Sequence, residues 1–307
     1  MKCPLCHLKN ASFFTKSASY SYYTCNNCEL IFIHRPKSSE TLTKYYQKTF
    51  TYSLSRQNNT RLTNRAHKVI KNIRSLHPDS KSLLDIGAGQ GHILQAAEER
   101  GYEVFGIEPS LSLYRQLTKE FDARIGNMDW DSFRKNHKGK FDVIILSHVI
   151  EHVIAPQKLV QEITLFLKPG GILFIETPNY DSHLAHYEKQ NYTFLSPPQH
   201  LWILSAKSLA KITDFSLKNK KLDLVKTETY SYPEHFVGVI KSLIKQQDQT
   251  YQANDVNANI MISVPIHGLV AKVKIFLFDL IAARLLYRLM DINNKGSIIA
   301  IYLQKSA

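Results

Sequence analysis

Four cysteines stand in two pairs, Cys3-x-x-Cys6 and Cys25-x-x-Cys28, and the chain contains no others. Two intervening residues let neighbouring thiolates converge on one ion without strain, so the spacing predicts a four-cysteine zinc ribbon. A site closed by four thiolates leaves no position for water or substrate, which makes the expected role structural. Other readings stay open. Cys3 to His7 spells the C-x-x-C-H signature of covalent haem attachment, but that leaves the second pair unexplained. Two disulfides would need an oxidising compartment. His7 or His34 could replace one cysteine as ligand.

A second set of residues could hold a nucleotide. Asp85-Ile86-Gly87-Ala88-Gly89-Gln90-Gly91 follows a short apolar run, and Glu108 closes the next one. Glycines after a strand allow a sharp turn and a close approach by a ligand. An acid at the end of the following strand can accept hydrogen bonds from two vicinal ribose hydroxyls. The dinucleotide pattern G-x-G-x-x-G fails, because its last glycine would fall on His92. A third set could move protons: His148, His152, His183, His186 and His200, histidine being the side chain that changes charge near neutral pH.

These residues need a scaffold, and the apolar pattern supplies one. Short apolar runs alternate with helical segments from residue 81, as in a doubly wound parallel sheet. Strands are expected over 82–86, 102–107, 123–126, 141–146, 172–175, 222–230 and 297–304, with helices over 61–76, 92–100 and 160–167. The expected class is α/β, a Rossmann-like seven-stranded sheet with an N-terminal zinc ribbon and a helical C-terminal insertion. The expected divisions are 1–36 for the ribbon, 37–80 for a linker and covering helix, and 81–307 for the main domain, with 233–295 inserted. Ligands of such sheets bind beyond the carboxyl ends of the strands. That places His148, Glu151 and His152 after the fourth strand and Asn179-Tyr180 after the fifth. The stretch from Tyr180 to Pro198 reads as a lid and substrate loop. Pro197 to Trp202 precedes a helix with Ser205 as N-cap, and Trp202 reads as core.

The string Asp-x-Gly-x-Gly-x-Gly, followed by Glu108, by Phe141 through His152 and Val153, and by Leu167-Lys168-Pro169-Gly170-Gly171, resembles the class I S-adenosylmethionine-dependent methyltransferases over roughly residues 82–232. Within that class it resembles the group that methylates sugars, quinones and small molecules. The resemblance implies S-adenosylmethionine as cofactor, with Asp85 supporting the methionine portion, Gly87, Gly89 and Gly91 lining the donor, and Glu108 holding the ribose. It places Met128 and Asp129 beside the adenine, although Asp129 serves equally well as a helix N-cap. Ser147, at the exit of the fourth strand, joins this cofactor set. His148, His152 and His200 are the catalytic candidates for removing a proton from the acceptor. The Glu151-His152 pair resembles one that recurs in this group across unrelated acceptors, which fits orientation of the turn as well as base chemistry. A metal at His148, Glu151 and His152 is disfavoured, since the quinone enzymes place a glutamate where His148 stands.

Lysine and arginine number 39 against 26 acids, a formal charge of +13. Such an excess suits phosphate-rich partners or a solvated basic surface equally well. An RNA methyltransferase is the second reading and a non-catalytic cofactor-binding protein the third. Against nucleic acid, strand four exits in Ser147-His148 rather than the Asn-Pro-Pro-aromatic turn of base amino methylases. No cysteine remains outside the ribbon to attack a pyrimidine. A small-molecule acceptor, such as a sugar, a nucleotide-linked sugar or another biosynthetic intermediate, is therefore expected. The start shows no apolar signal core, and no run reaches the roughly 18 uninterrupted apolar residues of a membrane span. A cytoplasmic setting is expected. The stretch 266–290, apolar with Lys272, Lys274, Arg284 and Arg288, is compatible with an interfacial membrane helix, a dimer contact or a packed helix.

Overall fold

The computed structural model describes residues 1–38, 41–42, 44–45, 60–121, 124–137, 139–218, 222–233, 235–236 and 287–306. The chain divides into two compact units. One gathers Met1–His34, Pro178–Leu209 and Glu228–Ile299. The other gathers Arg35–Thr177, Ala210–Thr227 and Ala300–Ala307.

The first unit begins with the ribbon. Strands β1 (Ala11–Ser17), β2 (Tyr20–Cys25) and β3 (Ile31–Ile33) pair antiparallel. β1 carries little strand pattern in the sequence, since its exposure alternates poorly and its register shifts between Phe13 and Thr15. The fourth strand of this sheet, β9 (Trp202–Ile203), arrives from far along the chain and pairs antiparallel with Ile31 and Phe32, giving the order β1-β2-β3-β9. Trp202 is buried, as expected for a core residue, but it sits in a strand. In the described part of the insertion, Tyr287–Asn294 is 3₁₀ helix with non-helical backbone at Ile292 and Asn293. The expectation for 266–286 lies outside the described residues. Among those that are described, no helix is long and apolar enough to cross a membrane.

The large sheet has the order β10-β11-β8-β7-β4-β5-β6. Its members are β4 (Ser82–Ile86), β5 (Glu103–Ile107), β6 (Ile125–Gly126), β7 (Phe141–Ser147), β8 (Leu167–Pro178), β10 (Leu222–Tyr230) and β11 (Ile298–Lys305). The pairs β4–β5, β4–β7, β5–β6 and β7–β8 are parallel. This is the seven-stranded Rossmann-like sheet that the alternation of strand and helix patterns predicts. Near-continuous apolar runs such as Val143–Leu146 are fully buried, as strands covered on both faces must be. Helix α1 (Thr60–Leu76) lays Ala66, Val69, Ile70 and Ile73 onto a core that includes Leu83, Val143, Ile172 and Phe174.

Two further helices, α3 (Leu111–Phe121) and α4 (Trp130–Asn136), were not anticipated from the pattern. The former buries Leu113, Leu117 and Phe121, a helical spacing diluted by the polar residues between them.

At the amino ends of the central strands, Asp142 acts as a clasp. Its Oδ2 accepts from the N–H groups of Lys81 and Ser82, from Ser82 Oγ and from Lys168 Nζ, at 2.8–3.0 Å. Burial alone would raise its pKa, but the Ser82, Lys81 and Lys168 donors bring it down to about 2. The carboxylate therefore contributes stability above the ordinary aspartate range and loses it as pH falls toward 2.

Candidate functional site

At the carboxyl ends of β4 and β5 the glycine loop turns back onto its neighbour. The N–H groups of Gly87 and Ala88 both donate to Ile107 O, at 2.8 and 3.1 Å. Gly87, Gly89 and Gly91 all have left-handed backbone, with φ of +75°, +55° and +78°, which glycine adopts without steric cost. Space around them differs. A Cβ at Gly91 would lie 2.6 Å from Leu117 Cδ2 and 3.0 Å from the Phe121 ring, both buried. A Cβ at Gly89 would meet nothing nearer than Gly87 O at 3.9 Å. Gly91 is therefore glycine so that α2 (His92–Glu98) can pack, whereas Gly89 presents an open face.

Glu108 is buried beside this loop. Its Oε2 accepts from Gly89 N at 2.9 Å and its Oε1 from Ser110 N at 2.7 Å. Each oxygen keeps a second lone pair, so a diol could still be held by the same carboxylate. Burial raises its pKa, and those two N–H groups work in the opposite direction. Asp85, also buried, leaves Oδ1 without a hydrogen-bond partner. Burial first, then the nearby Glu108 and Glu176 carboxylates, push Asp85 up to about 8. An unpartnered buried oxygen among acids is the environment that a cationic ligand would complete.

On the next turn, Asn127 Nδ2 donates to Glu108 O at 2.8 Å. Met128 packs against Gly126, where a Cβ would come within 2.9 Å of Met128 Cε. Asp129 serves as N-cap of α4, its side chain accepting from Ser132 N at 3.0 Å.

Two of the histidines stand at the exit of β7. His148 has φ +53°, rare for a residue with a side chain, and its N–H donates to Glu176 O at 2.9 Å. His148 Nδ1 lies 3.2 Å from Oε1 of the buried Glu151. Burial lowers the imidazole pKa, but the Glu151 carboxylate, with Glu176 adding to it, outweighs that and holds the group above its ordinary value. Residues 148–155 form turns and bends with His152 N bonded to Val149 O, so His148 and His152 do not share a helical face. Ser147 Oγ donates to Glu176 Oε1 at 2.7 Å.

Opposite that hydroxyl, Glu176 Oε2 receives Arg65 Nη2 at 2.9 Å, and both partners are buried. Burial would raise Glu176, but the Arg65 charge dominates and lowers it. Neither Glu176, at the end of a strand, nor Arg65 belongs to a motif that the sequence displays. The available signal was a charged residue on the apolar face of α1, beside Ala66 and four residues before Val69.

The other unit holds the remaining candidates. Cys3 Sγ lies 3.6 Å from Cys28 Sγ and Cys6 Sγ 3.5 Å from Cys25 Sγ, with all four sulfurs within 4.8 Å of one another. A disulfide would require about 2.05 Å, whereas zinc–thiolate bonds of about 2.3 Å put tetrahedral sulfurs roughly 3.8 Å apart. Burial pushes the Cys3 thiol up to about 11 and raises Cys28; at Cys6 burial is outweighed by the Leu8 N–H and the Cys25 thiol, which bring it to about 7. His200 has its Nδ1 2.7 Å from Phe194 O. The helix Ala206–Lys218 begins after Ser205, whose Oγ accepts from Ser208 N as the sequence predicts. The loop before it contains a short helix, His183–Glu188, capped by Ser182.

A family model described as a methyltransferase domain matches residues 59–214. The ubiquinone biosynthesis O-methyltransferase of Actinobacillus pleuropneumoniae serotype 5b (strain L20) is 32% identical over 108 residues, which cover 32% of this chain and 46% of that protein. The enzyme of the same name from Coxiella burnetii (strain RSA 493 / Nine Mile phase I) is 29% identical over 120 residues, covering 37% and 51%. This chain thus matches about half the length of these relatives. Among solved structures, the plantazolicin methyltransferase BamL, in complex with a triazolic desmethylPZN analog and SAH, aligns with a TM-score of 0.52 at 11% identity. That alignment covers 87% of this chain and 91% of the other. At that identity the likeness concerns the fold.

The two glycines separate packing from ligand access. Gly89→Ala should lower the melting temperature only by the left-handed strain of about 1 kcal/mol, yet weaken S-adenosylmethionine binding more than tenfold by calorimetry. Gly91→Ala should cost clearly more stability in thermal unfolding, since it adds overpacking against Leu117 and Phe121 to the same strain. Equal effects of the two substitutions on both readouts would contradict this assignment.

Proposed function

This chain belongs to the methyltransferase-domain family, and on that premise we propose that it transfers a methyl group from S-adenosylmethionine to a small-molecule acceptor. The observation that carries the reading is the buried pair Asp85 and Glu108 around a glycine loop whose central residue presents an open face. Glu108 would hold the ribose diol, Asp85 the ammonium end of the donor, and Met128 would pack on the adenine. Asp129 and Ser147 would line the same site from the turn after β6 and the exit of β7. The donor supplies a sulfonium methyl carbon, whose bond to sulfur breaks with the electrons retained by sulfur.

The protein must align the acceptor and take its proton. His148 is the best-equipped base. With Nδ1–H donated to Glu151, its Nε2 is the nitrogen that would receive the proton of an acceptor hydroxyl or acidic carbon. Glu151 orients the ring and stabilises the imidazolium that results. His200 is retained as the candidate on the loop side, with its Nδ1 similarly committed. His152, whose backbone closes the turn, fits a role in shaping that turn. Small-molecule acceptors, including sugars and nucleotide-linked sugars, are the class to screen. The four thiols of Cys3, Cys6, Cys25 and Cys28 would bind one structural zinc.

Calorimetry should show S-adenosylmethionine binding that Glu108→Ala weakens by 10- to 100-fold, the loss of charge-assisted bonds worth about 1.5–3 kcal/mol. Because free Asp85 is protonated below a pKa of about 8, binding a cation there should release a proton at pH 7. Affinity should then rise with pH up to that value and level off. Titrations in buffers of different ionisation enthalpy should detect a proton whose release disappears in Asp85→Asn; no difference between the two proteins would rule out the contact.

With an acceptor drawn from a panel of nucleotide sugars and phenols, His148→Gln should lower kcat by roughly 10²–10⁴ while leaving donor affinity within twofold. Glu151→Gln removes the charge that raises His148, so the acid limb of the pH–rate profile should move to lower pH. An unmoved limb would show that His148 is not the base. Finally, the purified chain should contain about one zinc by elemental analysis, and Cys28→Ser should abolish it.

A further inference from the structure

We propose that the four-cysteine ribbon, acting through Tyr22 and β3, is the positioning device for the Leu195–Ile203 turn and fixes the tautomer of His200. The proposal rests on the zinc assignment and on His200 as a loop-side candidate, and it assigns the ribbon a task beyond stabilising itself.

Cys25 is the last residue of β2, and its N–H donates to Leu30 O at 2.9 Å just before β3. Glu29 N donates to Cys25 O at 2.9 Å, as His7 N does to Cys3 O at 3.0 Å. Both Glu29 and His7 have left-handed backbone, so the two C-x-x-C turns have the same shape. One ion gripping both turns would therefore set how β3 lies against β2.

That placement is then read by the distant turn at four points. Ser17 Oγ donates to Leu195 O at 3.3 Å. Tyr22 OH, on a fully buried side chain, donates to His200 O at 3.1 Å. Ile33 N donates to Leu201 O at 3.0 Å. Phe32 and Ile31 pair with Trp202 and Ile203. The backbone around His200 is thus tethered to the ribbon on both sides.

Within that frame the ring has one arrangement. A carbonyl oxygen only accepts, so the 2.7 Å contact between His200 Nδ1 and Phe194 O requires the proton on Nδ1. The Phe194 ring lies nearly parallel to the imidazole, at 6.1 Å and 21°. Nε2 is consequently the basic nitrogen. A free histidine would exchange between tautomers; this one is held in the form that a proton acceptor at Nε2 needs. Tyr22 is a positioning residue, since its contact is with the His200 backbone.

The test uses the full-length chain labelled with ¹⁵N at histidine. In wild type, the His200 ring should show the Nδ1–H tautomer alone, assigned by its loss in His200→Gln. Tyr22→Phe should retain zinc and the melting transition to within a few degrees. It should nevertheless give His200 resonances averaged toward the Nε2–H form, and raise amide exchange at Leu201 and Trp202 by at least tenfold. Zinc withdrawal by chelator should enlarge both changes while S-adenosylmethionine affinity stays within twofold. An unchanged His200 spectrum and unchanged exchange in both samples would overturn the proposal. The ring and amide readouts need no donor, so failure of wild type to bind S-adenosylmethionine would defeat the functional reading separately.

Discussion

Buried negative charge is the constraint around which the larger unit is organised. Asp85, Glu108 and Glu176 all stand at the carboxyl ends of parallel strands, all are buried, and the last two raise the first. Burying carboxylates away from water is costly unless donors or cations compensate them. Glu176 is compensated within the protein by Arg65 and Ser147, and Glu108 in part by two backbone N–H groups. Asp85 leaves Oδ1 without a partner, and burial with the two neighbouring carboxylates pushes it up to about 8. The uneven distribution is informative: compensation is complete at the structural end of the row and incomplete where a cationic donor would enter.

The same arrangement accounts for the conformation of His148. Its backbone is held in the left-handed region by the bond to Glu176 O, while its ring is held by Glu151. Strain of this sort persists only where surrounding contacts over-determine it, and it concentrates where a side chain has to be aimed. The Arg65–Glu176 pair therefore does more than neutralise charge, because it anchors the residue whose carbonyl sets the His148 turn.

Much of this was legible in the sequence, and the exceptions share a cause. The glycine loop, Glu108 and the strands of the large sheet follow from local patterns: turn residues after apolar runs, and strands buried on both faces. The ribbon cysteines were legible because C-x-x-C spacing is itself the geometry. What escaped notice depended on partners distant in the chain. Arg65 reads as an ordinary helix residue until Glu176 faces it. Trp202 and Ile203 are too few to register as a strand and become one only because Phe32 and Ile31 offer an edge. Tyr22 lies in a run of tyrosines whose members look interchangeable, although it alone of Tyr20, Tyr22 and Tyr23 is buried. Asp129 was legible as two things at once, and its hydrogen bond to Ser132 N belongs to the capping role.

Asp142 has an implication of its own. Its clasp on Ser82, Lys81 and Lys168 closes the amino ends of β4, β7 and β8, the side of the sheet away from the glycine loop and His148. Cohesion and the proposed chemistry are therefore lodged at opposite rims of one scaffold. A lineage could remodel the catalytic rim for a new acceptor, accepting costly substitutions there, while the far rim kept the strands in register.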